Sequence, residues 1–442
     1  MAHGGPSPSA AQSTRTAHEG GEGTLLEVAL ERNNMLRALQ RVERNGGAPG
    51  ADGVTVEDLR PFLRSHWERI RAELLQGYYR PQPVRRVEIP KPSGGRRVLG
   101  IPTVLDRLIQ QALLQVLTPI FDPHFSAHSY GYRPGRRAQD AVRQARGYVR
   151  EGAPWVVDLD LDRFFDRVNH DMLMARVARR VQDKRVLTLL RAYLKAGAMV
   201  NGVVVETAEG TPQGGPLSPL LANILLDDLD RELEQRGHRF VRYADDCNIY
   251  VRTQRAGERV RESVTHWIET RLKLRVNREK SAVDRVFRRD VLGFTFLPGK
   301  AAKIRIAPQA LRKVKVTLRH LTRRSRSQRM NNRIQAVNRY LRGWIGYFAL
   351  AETPSVVEEL EEWVRRRLRL CLWRQWRRIR TRHRELRRLG VLDRDARQIA
   401  SSRHGPWRIS GRALGRHLRM AFWEQRGLES VTKQYHRLRT AW

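Results

Sequence analysis

Acidic side chains stand in two places where the surrounding pattern calls for apolar strands. The first is Val156-Val157-Asp158-Leu159-Asp160-Leu161-Asp162-Arg163-Phe164-Phe165-Asp166. At the two-residue period of a strand, Asp158, Asp160 and Asp162 share one face, and Val157, Leu159 and Leu161 share the other. A row of like charges on one face repels itself unless cations sit against it. The second place is Arg239-Phe240-Val241-Arg242-Tyr243-Ala244-Asp245-Asp246-Cys247-Asn248-Ile249-Tyr250-Val251, two apolar-alternating arms around an acidic pair. It reads as a hairpin with carboxylates at its tip. An Asp pair at a turn is ordinary turn chemistry when it stands alone; an acidic strand elsewhere in the chain changes that reading. Magnesium takes one or two protein carboxylates and completes its shell with water and substrate phosphate, so a strand Asp brought beside the hairpin pair suffices. Two such ions, roughly 3.5 to 4 Å apart, activate an attacking hydroxyl and stabilise the leaving oxygen of an in-line displacement at phosphorus. That chemistry is nucleotidyl transfer, although three carboxylates alone also fit other phosphotransferases and nucleases.

The elements that must position these groups are legible around them. Leu25, Val28, Leu36, Leu39 and Val42 recur at roughly helical spacing, so the segment from Leu25 to Arg44 is expected as one helix that stops at Asn45-Gly46-Gly47. Thr55 with Asp58 three residues on resembles a capping box opening a helix that runs to Gly77. Val84 to Ile89, the turn Pro92-Ser93-Gly94-Gly95 and Arg96 to Leu99 read as a β-hairpin with a basic face. Val104 to Thr118 is expected as a helix, Trp155 to Leu161 as a strand and Leu217 to Leu229 as an apolar helix. Beyond Leu292-Gly293-Phe294 the pattern is helix upon helix. Residues 1 to 23, rich in Gly, Ser, Pro and Ala, read as a disordered leader.

Charge says what the partner is. Across 442 residues there are 84 Lys and Arg against 46 Asp and Glu, a net charge of +38. Residues 301 to 442 hold 36 of the cations and 10 of the acids, together with seven of the ten Trp. Such an excess fits a polyanion, and the last third is its expected binding surface. Arg outnumbers Lys 74 to 10; the planar guanidinium forks phosphate oxygens and stacks on bases. Trp373, Trp376, Trp407 and Trp423 could stack on a structured RNA or pack between helices. Cys247 and Cys371 alone cannot build a disulfide framework or a four-Cys zinc site, and the 13 His show no metal-ligand spacing. With no apolar run of membrane-spanning length, a cytoplasmic protein is expected.

Tyr243-Ala244-Asp245-Asp246, with the acidic strand upstream, resembles the catalytic signature of reverse transcriptases. Further blocks narrow the resemblance to bacterial group II intron-encoded reverse transcriptase/maturases. They are Asn45 to Gly53, Ile89-Pro90-Lys91-Pro92 through Arg97, Gly100-Ile101-Pro102, Asp106-Arg107, Ser129-Tyr130-Gly131-Tyr132-Arg133-Pro134-Gly135, Gly210 through Pro219, Val291-Leu292-Gly293-Phe294 and Tyr340-Leu341-Arg342-Gly343-Trp344. Without a Cys-paired endonuclease, the chain resembles the shorter, class C-like branch.

The resemblance implies an α+β right-hand polymerase. Residues 24–150 would form an N-terminal extension and fingers, 151–300 a palm with an antiparallel sheet, 301–378 an α-helical thumb or maturase domain, and 379–442 a small basic DNA-binding-like domain. Asp160, Asp245 and Asp246 would hold two Mg2+ ions. Asp160 is chosen over Asp158 because in such polymerases an aromatic residue that stacks on the incoming sugar follows the first acid by five positions, which gives Phe165. Lys91 and Arg97 would clamp the incoming dNTP, with Arg85 a weaker third, and Gln213 would touch nucleotide and template. Lys280 could approach the leaving pyrophosphate, and Leu292-Gly293-Phe294 would grip the primer. The partners implied are group II intron RNA, an RNA template with a DNA primer, target DNA and dNTPs, and a homodimer stays open. Two other readings remain. One is a free-standing polymerase serving repair or defence; the other is a splicing factor without polymerase activity, which would have no need of repelling carboxylates.

Overall fold

The computed structural model describes residues 24–90, 96–200, 203–205, 214–323 and 328–440. The expected leader, the turn of the basic hairpin with Lys91, and Gln213 lie outside them. The chain divides into two compact units, residues 1–124 with 165–224, and residues 125–164 with 225–442.

The first unit combines helices with a four-stranded sheet. β1 (Val84–Pro90) and β2 (Arg96–Ile101) form the expected antiparallel hairpin, and Ile89 faces Arg97 across it. The helix Val104–Phe121 is capped by Thr103, whose Oγ1 accepts from the Asp106 N–H at 3.0 Å. The Asp106 carboxylate is buried, and it accepts from the hydroxyls of Thr103 (2.7 Å) and Tyr79 (2.8 Å). Burial lifts its carboxyl above the ordinary value. Arg107 donates to the carbonyls of Gly46 and Ala48, and a Cβ on Gly50 would stand 2.5 Å from the Thr103 Cα. The turn-rich Asn45 to Gly53 block and the helix start are therefore one interlocked piece.

Two expectations change here. The first helix is two, Leu25–Ala29 and Arg32–Asn45. The chain breaks at Glu31, whose extended backbone restarts the helix and lets Leu26, Ala29, Met35, Ala38, Leu39 and Val42 all be buried. The next helix spans Leu59–Gln76 and begins after the Thr55–Asp58 contact, in which Asp58 accepts from the Thr55 N–H and hydroxyl. Gly77 closes it in the left-handed conformation.

The second unit holds the acidic strands. Between β3 (Trp155–Leu159) and the acid-tipped hairpin come β4 (Ala198–Val200) and β5 (Val203–Val205), which extend the first unit's sheet in the order β2-β1-β4-β5. The hairpin arms are β6 (Arg239–Tyr243) and β7 (Asp246–Val251), and β8 (Ala282–Arg285) completes an antiparallel sheet of order β6-β7-β3-β8. β3 and β7 are its inner strands, which is why Val156, Val157, Leu159, Cys247, Ile249 and Tyr250 are all buried. The helix Gln254–Trp267 covers the Val157 face so closely that a Cβ on Gly257 would stand 2.5 Å from the Val283 side chain.

Past the palm sheet the chain forms a short ribbon before the helices begin. β9 (Phe294–Phe296) pairs with β10 (Ile304–Ile306), so the expectation of helices alone from Leu292 onward is corrected. The ribbon's Phe294, Phe296, Ile304 and Ile306 are fully buried against the helices Pro308–Leu321, Met330–Phe348 and Pro354–Gln375. Burying side chains of this size contributes roughly 1.5–3 kcal/mol each. A second, smaller core gathers Trp373, Trp376, Leu386, Val391, Ile409, Leu414 and Leu418 near the C-terminus.

Candidate active site

Antiparallel pairing of β3 with β7 sets the site. Asp158 faces Asn248 and Leu159 faces Cys247, so the register carried one step further brings Asp160 beside Asp246. The ladder itself stops at Leu159, because the chain beyond is taken up by residues 275–277: Asn277 N–H donates to the Asp160 carbonyl and Asp162 N–H to that of Arg275, both at 2.8 Å. Arg163 then turns the chain at φ +49°. Asp162, expected on the same face as Asp158 and Asp160, thus sits past the end of the strand.

Asp158, Asp160, Asp246, Asn248, Lys280 and Arg289 line one cleft of about 390 Å³. Asp246 opens to it at the first position of β7, and its carboxyl is pushed up to about 6, first by burial and then by the charges of Asp245, Asp158 and Asp160. Asp245 occupies the hairpin turn. Lys280 Nζ lies 3.4 Å from the Asp160 carboxylate, and Arg289 holds the Asp158 carboxylate through Nε (3.2 Å) and Nη2 (2.5 Å). Burial keeps the Asp158 carboxyl above its ordinary value even with that guanidinium beside it. Asn248 Oδ1 is buried in the cleft wall with no hydrogen-bond partner among the described residues. Carboxylate and amide oxygens of this kind are hard ligands of the type a small divalent cation takes. Among the described residues no three His, Cys, Asp or Glu stand close enough to enclose a metal on their own.

The hairpin tip is fixed from behind by residues that sequence reasoning did not assign. Arg242 is buried, and it forks Asp230 through Nε (2.7 Å) and Nη2 (2.6 Å) while Nη1 donates to the Ala244 carbonyl at 2.8 Å. Ala244 has φ +58°, a strained value for a residue with a Cβ. The Ser129 to Gly135 block runs alongside: Arg242 N–H donates to His128 and Tyr130 N–H to Arg242, both at 2.9 Å. A Cβ on Gly131 would stand 2.3 Å from the Ala244 amide nitrogen. The signal for Arg242 was present as a charge set between Val241 and Tyr243 in the apolar-alternating arm; the signal for Gly131 was only its membership of a Gly-rich block.

The remaining candidates lie on other elements. Phe165 is half-buried in the short turn Phe164–Asp166, with Phe164 fully buried beside it. Arg97 lies on β2. Leu292 lines the carboxylate cleft, its carbonyl accepts from the Tyr347 hydroxyl at 2.9 Å, and Phe294 is buried.

Residues 89–296 match the reverse transcriptase (RNA-dependent DNA polymerase) family, and residues 311–390 match the maturase-specific domain of group II introns. Protein YkfC of Escherichia coli K12 is 37% identical over 276 residues, which cover 54% of this chain and 72% of that protein. The chain belongs to the group II intron-encoded reverse transcriptase family. LtrA, a group II intron-encoded protein of Lactococcus lactis, is 38% identical over 208 residues, 46% of this chain and 34% of LtrA. Nuclear intron maturase 2 of Arabidopsis thaliana is 29% identical over 181 residues, 31% of this chain and 24% of that protein. The chain spans about a third or less of the length of these last two. RNA-directed DNA polymerisation, together with a role in splicing, is the activity the family carries, and it implies nucleic-acid partners and a divalent metal.

From residue 301 onward the Trp residues divide. Trp423, Trp373 and Trp376 are core side chains, at 0%, 2% and 9% exposed, so packing between helices accounts for them. Trp407 is 41% exposed and carries the Arg366 guanidinium 3.9 Å over its ring. Trp363 is ringed by Lys315, Arg319 and Arg367 at 5.6 to 6.0 Å. No helix among the described residues is long and apolar enough to cross a membrane.

Proposed function

We propose that this chain copies RNA into DNA by magnesium-dependent nucleotidyl transfer, with Asp160, Asp245 and Asp246 holding two Mg2+ ions. The observation that carries this reading is the β3–β7 register, which sets Asp160 beside an Asp246 whose carboxyl is raised to about 6 by burial and neighbouring acids. Carboxylates crowded in this way are stabilised by a cation. The primer 3′-oxygen bonds to the α-phosphorus of the dNTP, the bond to the bridging oxygen breaks, pyrophosphate leaves, and the hydroxyl proton passes to solvent. The ions supply activation of that hydroxyl and charge stabilisation at the leaving oxygen. Lys91 and Arg97 clamp the triphosphate, Phe165 meets the sugar, Gln213 contacts nucleotide and template, and Lys280 offsets charge on the leaving group.

The RNA copied and bound is group II intron RNA, captured by the basic helices from residue 301 onward through phosphate contacts and stacking. The protein assists that RNA's splicing and acts in the cytoplasm, with target DNA as its further partner. Primer extension on an RNA template with dNTPs and Mg2+ tests the reading. Wild type extends the primer, and the D245A/D246A variant does not while keeping its RNA affinity. Extension by the variant would remove the metal assignment.

A further inference from the structure

Nucleotidyl transfer leaves Asp158 without a task, although it is a half-buried carboxylate on the cleft face of β3, two residues before Asp160. Its partner is specific. The Arg289 fork takes Asp158 through Nε and Nη2, and the same Nη2 donates to the Lys280 carbonyl at 3.1 Å. One guanidinium thus joins the strand carrying Asp160 to the turn carrying Lys280. The turn has further ties: Lys280 N–H donates to Asn277 Oδ1 at 3.3 Å, Ser281 N–H to the Asn277 carbonyl at 2.9 Å, Asp160 N–H to Ser281 Oγ at 3.0 Å, and Arg278 Nη2 to Glu269 at 3.3 Å. The Lys280 side chain is 64% exposed and meets the Asp160 carboxylate at 3.4 Å, so where its backbone is held decides whether its ammonium reaches the cleft.

We propose that Asp158 and Arg289 form a positioning pair that fixes the Lys280 backbone, so that the Lys280 ammonium meets the negative charge building on the leaving pyrophosphate. Asp158 is then not a metal ligand. Its carboxylate fixes Arg289 and keeps that guanidinium off Asp160 and Asp246, where it would compete with a cation. A planar fork suits this task because its donors point in fixed directions toward the carboxylate and the carbonyl, whereas an ammonium is a compact charge on a flexible stem. This inference rests on the nucleotidyl-transfer reading and adds to it how Lys280 is placed.

Single-nucleotide incorporation measured before the first turnover, on a preassembled RNA template and DNA primer, separates the maximal rate from dNTP binding. K280A lowers the maximal rate about a hundredfold, the scale of one lost charge-stabilising group. R289M lowers it about tenfold, the scale of a lost outer-shell support, with the dNTP dissociation constant within about twofold of wild type. In the K280A background R289M adds less than about twofold, because the group it positions is already gone. R289K gives an intermediate loss, and its smaller perturbation of folding covers the case in which R289M melts early. The proposal is overturned if R289M and K280A multiply, if R289M and R289K both match wild type, or if the loss appears in dNTP binding alone. A D246A control keeps the two readings apart: activity in D246A refutes nucleotidyl transfer at this site, whereas a dead D246A beside a wild-type-like R289M refutes only the positioning pair.

Discussion

Removing the Arg242 guanidinium should separate the stability of the palm from the placement of its acids. Arg242 and Asp230 have side-chain exposures of 1% and 0%, and the pair is bidentate. R242M leaves the Asp230 carboxylate buried and uncompensated, which costs about 3–5 kcal/mol. R242M/D230L removes both charges, and replacing a buried pair by apolar groups of similar volume is often neutral or better, so the double variant should recover most of the lost stability. Neither variant restores the third arm of the guanidinium, the 2.8 Å bond to the Ala244 carbonyl. Ala244 holds a positive φ that costs about 1–3 kcal/mol and persists only while its surroundings enforce it. Once released, the turn relaxes and Asp245 and Asp246 shift, and a displacement of about 1 Å at a reacting centre costs on the order of a hundredfold in rate. Thermal unfolding and primer extension are therefore measured on the same three proteins. R242M should melt well below wild type, R242M/D230L should melt close to it, and both should extend primers slowly. A double variant with wild-type stability and wild-type extension would refute the claim that Arg242 sets the hairpin tip.

Two other perturbations follow from the same geometry. G131A places a Cβ 2.3 Å from the Ala244 amide, so the tip must move, and extension should fall at least tenfold with little loss of RNA affinity; an Ala variant that extends at the wild-type rate contradicts the close approach. The Asp246 carboxyl, raised to about 6, binds its proton more tightly in the folded chain than in the unfolded one, where the ordinary carboxylate value applies. Its contribution to stability is therefore fully present below about pH 4 and is lost as pH rises through about 6. Without divalent metal, the difference in melting temperature between wild type and D246N should change between pH 5 and 7, and a pH-independent difference would contradict the shift. At fixed Mg2+, extension should rise through the same interval, with a midpoint that moves to lower pH as Mg2+ increases.

Much of the palm was legible because its signals are local. The alternation of Phe240, Val241 and Tyr243 with Ile249 and Val251 around a two-residue turn allows one hairpin, and the structure contains it. The same holds for the basic hairpin Val84–Pro90 with Arg96–Ile101, and for the helix Val104–Phe121. What the pattern did not reveal depends on contacts between distant residues. The strand carrying Asp160 ends early because residues 275–277 capture its backbone, and no spacing within 155–166 records that. The expected first helix breaks at Glu31, whose extended backbone separates Leu25–Ala29 from Arg32–Asn45, and the spacing of apolar residues carries no mark of that break. The Asp158–Arg289 pair was not legible because its two members lie 131 residues apart. Arg242 stood beside the acidic motif, yet nothing nearby predicted that Asp230 would meet it in the interior. Trp373, Trp376 and Trp423 belong to helix packing, a distinction composition alone cannot make.

The central claim is that acids from two strands jointly hold divalent ions at the reacting phosphate. Mn2+ can stand in for Mg2+ and be counted by electron paramagnetic resonance, in a complex of the protein with an RNA template, a dideoxy-terminated primer and the next dNTP, against dNTP alone as background. Wild type should hold two Mn2+ per chain beyond that background, and D160N and D246N should each lose affinity for at least one of them. Equal counts and affinities in wild type, D160N and D246N would contradict the account.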